Sequence, residues 1–443
     1  MANQGDVEMT AEKIIPTENF VNTIHPHIPS VDKYLQLDGS IDHKNTFIIH
    51  HEPVDLKTKA PIDFIIYPTP GYYLDMQSLQ VDVKLEVTKA DQSRGELNTW
   101  KTHFINNLTQ SLWQSTKVYL NDCCVDANYN NQQIGNLMQI LTTSNVLLEE
   151  RGLPQGAFKV TKDTLVSEIS AAHTDKNDIK KRIEFATQPT VHIRGPLNIS
   201  LATCDKYLVD GVKMKIVLEP SSVAFLIKSS PPGIAENYDY TIKSIKLICT
   251  KVKASDGSFL ATTKKLMAKP FEYMIRRPIV HKQVIPSGHS DFVIRNPFQR
   301  LIPNKMYIFL TDRESSQGVQ NRNPFYYGVF GLSNYYVRIN GTQIAGGDTD
   351  DNYLTTYIES MKAHGDDYFI PFENYTKGCY VLCINCNDQS EFNSVNIDKQ
   401  GNLTIGLAFK QVFQRPIVAH VVGLVDSPFE IDADRVVTTR YQY

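Results

Sequence analysis

The feature that most restricts the fold of this chain is a pattern that occurs twice. Asp63-Phe64-Ile65-Ile66 returns as Asp291-Phe292-Val293-Ile294. Val118-Tyr119-Leu120-Asn121-Asp122 returns as Val337-Arg338-Ile339-Asn340-Gly341. Asn-Asp and Asn-Gly both suit a turn that ends a strand, because these residues tolerate positive φ. About 13 or 14 residues after each Asn a helical stripe follows, Ile134, Leu137, Met138 and Leu141 in one half, Leu354, Tyr357, Ile358 and Met361 in the other. That spacing suits a helix lying on a sheet. Gly211 and Gly401 then each open an alternating run. One echo of four apolar residues arises by chance. Four features in the same order, offset by roughly 190 to 230 residues, argue for tandem domains.

The strands that fill those domains alternate. Leu79, Val81, Val83, Leu85 and Val87 interleave with Gln80, Asp82, Lys84, Glu86 and Thr88. Val212, Met214, Ile216 and Leu218 repeat the pattern, as do Leu403, Ile405, Leu407 and Phe409. Successive strand side chains point to opposite faces, and clean alternation favours antiparallel sheets with one buried face. The expected fold is all-β with short helices in loops, a tandem double jelly roll of two eight-stranded antiparallel β-sandwiches. The expected organisation is an extended arm over 1–40, a first jelly roll over 41–255 and a second over 256–443. Within the first roll, 142–190 is a long charge-rich interruption (Asp175, Lys176, Asp178, Lys180, Lys181, Arg182) that reads as a solvated loop or helix at one end of the sandwich. The arm carries Asp6, Glu8, Glu12, Glu18, Asp32 and Asp38 against Lys13 and Lys33, which argues against an electrostatic genome-binding tail.

Composition narrows the function. Hydrophobic residues make up 42% and charged residues 21% of the 443, ordinary values for a globular protein. The net charge of -3 leaves no global field for gripping phosphates, so no specific nucleic-acid binding is expected. No run of apolar residues is long enough for a membrane span, and the first residues lack the n- and h-regions of a secretory signal. An odd set of seven cysteines then suggests reduced thiols.

Several motifs have the spacing of known chemical sites. Cys379-x3-Cys383-x2-Cys386 has the spacing of a radical-SAM iron–sulfur site. It sits in a strand-like run, where Cys379 and Cys383 share a face and Cys386 points away, so buried free thiols are expected. Asp348, Asp350, Asn352, Thr356 and Glu359 match calcium-loop positions, but Tyr353 replaces the required Gly, so an acidic helix start is expected instead. His289-Ser290-Asp291 with His364 or His420 could make the facial triad of a jelly-roll iron oxygenase, yet no suitably placed Arg follows either distal His. Gly331-Leu332-Ser333-Asn334-Tyr335 lacks the second Gly of a nucleophile elbow. His25, His27, His50 and His51 read as surface or turn histidines. No catalytic, cofactor-binding or metal-binding residues are assigned, and no enzyme or cofactor is expected. A receptor- or carbohydrate-binding sandwich of a virion spike is the other alternative.

The ordered set of short stretches resembles one family. Phe47-Ile48-Ile49-His50-His51-Glu52-Pro53, Ile105-Asn106-Asn107-Leu108, Lys181-Arg182-Ile183-Glu184-Phe185 and Tyr207-Leu208-Val209-Asp210-Gly211 belong to it. So do Asn323-Pro324-Phe325, Tyr336-Val337-Arg338-Ile339-Asn340-Gly341, Gly401-Asn402-Leu403-Thr404-Ile405 and Phe429-Glu430-Ile431-Asp432. Together they are similar to the double jelly-roll major capsid proteins of Polinton/Maverick elements and adintovirus-like viruses. The resemblance covers roughly 40–443 and implies a virion structural protein. It also implies a homotrimer that forms a pseudo-hexameric capsomer in an icosahedral capsid, with neighbouring capsomers and a minor (penton) capsid protein as partners. Synthesis and assembly would take place inside the host cell.

Overall fold

The sequence repeats because the strands repeat. The computed structural model describes residues 41–51, 59–89, 102–229, 238–349, 352–387 and 400–439. The acidic arm, His25 and His27 lie outside the described residues, as do the side chains of His50 and His51. The first half contributes β1 (Ile41–His51), β2 (Ile62–Ile66), β3 (Tyr72–Lys89), β4 (Trp113–Leu120), β5 (Cys123–Asn128), β6 (Val191–Pro196), β7 (Met214–Pro220) and β8 (Tyr238–Ala254). The second contributes β9 (Phe271–Ile285), β10 (Asp291–Arg295), β11 (Lys305–Asp312), β12 (Leu332–Ile339), β13 (Thr342–Asp348), β14 (Val381–Asn385), β15 (Leu403–Phe409) and β16 (Ile417–Ile431).

The sheet orders are β1-β8-β3-β6 with β2-β7-β4-β5, and β9-β16-β11-β14 with β10-β15-β12-β13. Adding eight to each label of the first pair gives the second pair. Every pairing is antiparallel, and each order has the crossovers of a jelly roll. The chain is therefore a tandem double jelly roll. Alternation sets the faces as period two requires: Leu79, Val81, Val83, Leu85 and Val87 of β3 are buried, and Lys84 between them is exposed.

The two Asn-centred turns are also equivalent. Asn121 and Asp122 have φ of 43° and 69°; Asn340 and Gly341 have 51° and 88°. Leu120 pairs with Cys123 and Ile339 with Thr342, so each turn is a two-residue hairpin. Positive φ at both central residues is the condition for a type I′ turn, whose twist matches that of the strands.

Five helices matter to the argument: α1 (Asn131–Thr142), α2 (Asn177–Ala186), α3 (Asp256–Ala268), α4 (Leu354–His364) and α5 (Phe372–Gly378). α1 and α4 follow corresponding hairpins, as the repeat implies. α1 buries its expected stripe, with Ile134, Leu137 and Leu141 inside. α4 does not. Its buried face is Thr356, Ser360 and His364, while Leu354 and Met361 are exposed. The reason is polar satisfaction. Ser360 Oγ accepts from the Cys383 backbone N–H at 3.1 Å and lies 3.5 Å from the Tyr375 hydroxyl. Small hydroxyl residues let the helix sit close to β14 and meet its polar groups there.

The 142–190 interruption also departs from expectation. It is not simply solvated. Ile179, Arg182 and Phe185 of α2 are buried, and the loop before α2 docks on the second roll. Ile169 N–H donates to the Asn321 carbonyl at 2.8 Å, Asn323 N–H to the Ser167 carbonyl at 3.0 Å, and Asn374 Nδ2 to the Val160 carbonyl at 2.8 Å. Charge in the sequence hid this, because the buried contacts are largely to backbone carbonyls.

Two cores result, and each includes residues of the other half. Phe271, Tyr273, Ile275, Phe429, Ile431 and Val437 belong to the first core; Leu137, Ile140 and Leu141 of α1 belong to the second. Corresponding strands carry equal loads. Ile216→Ala in β7 and Ile405→Ala in β15, both fully buried, should each cost about 2–5 kcal/mol. Thermal unfolding checks this, with a clear drop in Tm expected for both.

Candidate assembly interface

The motifs weighed as chemistry do not converge. Asp291 is exposed on β10, pairing with Ala408, and accepts from Ser290 Oγ. His289 is exposed and its ring meets Phe292 edge-on. His420 lies in the other sheet of the same roll, fully buried, its Nε2 2.9 Å from Thr311 Oγ1 and its ring stacked on Phe309. Burial pushes its pKa down to about 3, so it is a neutral core residue. His364 is buried against Tyr307. Asp348 on β13 accepts from Asn334, Glu359 accepts from the Tyr335 hydroxyl, and Asn352 caps Leu354 N–H, so the calcium-loop residues serve separate contacts. Asp350 and Asp351, on which the expected acidic helix start rests, lie outside the described residues; the N-cap position of α4 is Tyr353, with φ of 59°, and Asn352 Oδ1 accepts from Leu354 N–H at 3.3 Å. Cys379, Cys383 and Cys386 are free and buried in the second core, and burial raises the Cys379 thiol to about 12. Ser333 Oγ donates to the Ala408 carbonyl. Among the described residues no group of three or more His, Cys, Asp or Glu could hold a metal, and no helix is long and apolar enough to cross a membrane.

The polar chemistry of the chain gathers instead where the rolls meet. The short strand 227–229, paired with 102–104, brings Lys228 to the joint with a relative exposure of 0%. Its ammonium donates to the carbonyls of Ala224 at 2.9 Å, Val319 at 3.1 Å and Gly318 at 3.4 Å, the last two from the second half. Burial lowers its pKa to about 7, against the three carbonyls that hold its proton. Tyr273 of β9 stacks on Phe429, with centroids 4.9 Å apart. Its hydroxyl accepts from Val209 N–H at 3.2 Å and donates to the Tyr207 carbonyl at 3.1 Å. Arg435 reaches Asp210 with Nε on the carbonyl at 2.7 Å and a terminal nitrogen on the carboxylate at 3.0 Å. Gly211 has φ of +78°, and a Cβ there would stand 2.9 Å from Arg435 Nε, so this glycine is needed for both turn and approach. Asn136 of α1 donates to the Tyr327 hydroxyl at 3.0 Å.

Beyond the joint, the excursions that carry α1 and α4 expose apolar groups. On the first, Val146 and Leu153 are 65% and 56% exposed beside Leu147. Leu153 lines a cleft of about 310 Å³ together with Leu148, Ala157, Phe158 and Phe185, and the exposed Lys181 and Glu184 line it too. On the second, Leu354, Met361, Phe369 and Phe372 are exposed. Sequence reasoning singled out two of these, Leu354 and Met361, but as core. Lys228, Arg435 and Tyr273 left no periodic signal and were missed.

No family model matches the chain. A stretch of 243 residues is 20% identical to the uncharacterized protein F54H12.2 of Caenorhabditis elegans, covering 50% of this chain and 56% of that one. The chain thus spans about half the length of the curated relative it matches. A chain in the cryo-EM structure of the Sputnik virophage aligns with a TM-score of 0.61 and 12% identity, over 99% of this chain and 92% of that one. The Faustovirus major capsid protein aligns at 0.58 and 10% identity, over 87% and 90%. A chain of the PBCV-1 virus capsid aligns at 0.53 and 11% identity, over 90% and 97%. The double jelly roll read from the strand order is the fold of viral capsid chains.

The joint makes stability depend on pH through Lys228. Below about pH 7 Lys228 is charged in both states. Between that value and its ordinary one near 10.5 the unfolded chain holds the proton and the folded chain releases it, so stability rises with pH across this window. Urea unfolding of wild type and Lys228→Met should differ in slope there. The wild type gains stability from pH 7 to 10 relative to the variant, and parallel curves would refute this reading.

Proposed function

We propose that this chain is a major capsid protein, a structural and non-catalytic component of a virion. The observation that carries the reading is the duplication itself. One chain folds two sandwiches of identical strand order, and the fold is that of the Faustovirus major capsid protein and the PBCV-1 capsid chain. Three such chains around a threefold axis would present six similar domains, a pseudo-hexagonal tile that packs in a flat lattice. The threefold contact would be heterologous, one face of a subunit against a different face of the next, with the ring closing. Obligate contacts of this class bury about 2,000–5,000 Å².

On this reading the homotrimer is the capsomer of an icosahedral capsid, neighbouring capsomers are its main partners, and a minor penton protein fills the vertices. The specific lineage we infer is that of the Polinton/Maverick elements and adintovirus-like viruses, on the ordered motifs set out above. Assembly takes place inside the host cell. The exposed Val146 and Leu153, the latter lining the cleft, are the surface we assign to the neighbouring subunit. That part of the 142–190 excursion remains available after its other end has clasped its own second roll.

The purified protein tests this. Size-exclusion with mass detection should give a compact trimer, and negative-stain images should give hexagonal outlines. Val146→Glu with Leu153→Glu should weaken trimers by about 30-fold or more, the scale of losing a 2 kcal/mol anchor, while the Tm of the monomer stays within a few degrees. A persistent monomer in the wild type would remove the proposal. Deleting residues 1–40 should impair shell assembly and leave trimers intact; lost trimers would show that the arm has another role.

A further inference from the structure

We infer that a small cavity between the two rolls binds a monovalent anion of chloride size through the guanidinium of Arg182. The cavity measures about 20 Å³. Arg182, Asn106 and Asn136 line it from the first half, and Asn323, Phe325 and Cys379 from the second. One water needs about 10–15 Å³, so this cavity takes a single small occupant. Among the described residues no carboxylate lines it.

Arg182 is a buried cation with few partners. It belongs to α2 and is 6% exposed. One terminal nitrogen donates to the Lys159 carbonyl at 3.4 Å, and the guanidinium lies over the Phe158 ring, 5.5 Å from its centroid. A guanidinium carries five N–H donors. Among the described residues Nε has no hydrogen-bond partner. The carboxylate that acts on this charge, Asp178, is engaged elsewhere: it accepts from Thr161 Oγ1 at 2.9 Å and lies 3.7 Å from the Lys159 ammonium. Burial lowers the Arg182 pKa to about 10, so the group keeps its proton at neutral pH. Nearby groups feel the charge. Burial is the main cause that pushes His103 down to about 3, and Arg182 adds to it. A buried charge of this kind calls for a counter-charge or a full set of hydrogen bonds.

The amides of the wall have donors to spare. Asn106 Oδ1 accepts from the N–H groups of Asn107 and Phe158, at 3.0 and 2.7 Å, and Asn323 Oδ1 from that of Phe325 at 3.0 Å. Each Nδ2 makes one bond: Asn106 to the Phe158 carbonyl, Asn323 to the Thr164 carbonyl and Asn136 to the Tyr327 hydroxyl. An amide nitrogen carries two donors, so one N–H is left on each of the three. An anion accepts from such donors and asks for no acceptor in return. A water would have to place its own two protons, and of the three amide oxygens only that of Asn136 has no donor on it. The anion is therefore the better match in both charge and hydrogen bonding. It would touch α2 of the first-half excursion and the 323–325 segment of the second roll, so its binding would tighten the joint. This inference stands whether or not the chain builds a shell.

Crystals of the full-length protein equilibrated with bromide test it. An anomalous difference peak within hydrogen-bond distance of the Arg182 guanidinium is expected, and water alone at that position overturns the inference. In solution, replacing gluconate, which is too large for the cavity, by chloride at constant ionic strength should raise the Tm of the wild type by about 2 °C or more. Asn323→Asp keeps an acceptor for the Phe325 N–H and sets a carboxylate in the wall, so it should abolish both the bromide peak and the chloride response. Arg182→Met should abolish them too. If that variant fails to fold, the wild-type peak and Asn323→Asp still decide. A wild-type Tm indifferent to chloride, or a chloride response that survives Asn323→Asp, overturns the inference.

Discussion

The relative placement of the two rolls depends on one two-stranded ribbon that belongs to both cores. β9 and β16 pair without a register break from Phe271 opposite Ile431 to Ile285 opposite Ile417. Fifteen residues of antiparallel strand are about 50 Å long, more than one sandwich needs. One end of the ribbon therefore reaches the first roll, where Phe271, Tyr273, Ile275, Phe429 and Ile431 are core. The other end holds Ile285, Ile417, Ala419 and Val421 in the second core. α1 makes the reciprocal contribution from the first half. A swivel of one roll against the other would have to expose these apolar groups and break the ladder, so the chain behaves as one brick.

That constraint explains the polar groups at the joint. A buried ammonium such as that of Lys228 is costly and adds little to stability over an apolar residue of the same size. It does select a geometry, because only one docking of the 318–319 turn brings two carbonyls within reach of its nitrogen. The Tyr273 hydroxyl and the Arg435–Asp210 pair act in the same way, each directional and each tied to backbone. Apolar burial supplies the adhesion and these bonds supply the register.

What could be read from the residues follows from the same division. Alternation and turn chemistry are local, so β3, β7, β15 and the strand-ending turns at Asn121 and Asn340 were visible in the amino-acid order. The repeat extended that reading to corresponding strands with weaker patterns, such as β10, where only Ile294 is fully buried. The joint was not legible, because it is made by residues that are unremarkable locally. Lys228 sits in a three-residue strand, and Arg435 sits in a turn after β16. The stripe of α4 misled for a related reason: its apolar residues obey helical spacing, but the sheet beneath needed hydroxyls, and Thr356 and Ser360 took the inner face. Exposed Leu354 and Met361 are the mark of that exchange.

The two rolls match in strand order and differ in their excursions, and the difference has a use on the proposed reading. A flat lattice needs six nearly equal edges, which two copies of one sandwich per chain provide. A closed threefold ring needs alternate contacts to be distinguishable, or a chain could join with its two rolls interchanged. The first excursion carries the cleft lined by the exposed Lys181 and Glu184, together with Val146 and Leu153. The second presents Leu354, Met361, Phe369 and Phe372 on and beside α4 and α5. An apolar surface and a cleft with exposed charges are not interchangeable partners, since swapping them would desolvate those charges against apolar groups without compensation. On that reading the strands would make the edges alike, and the excursions would specify which edge meets which.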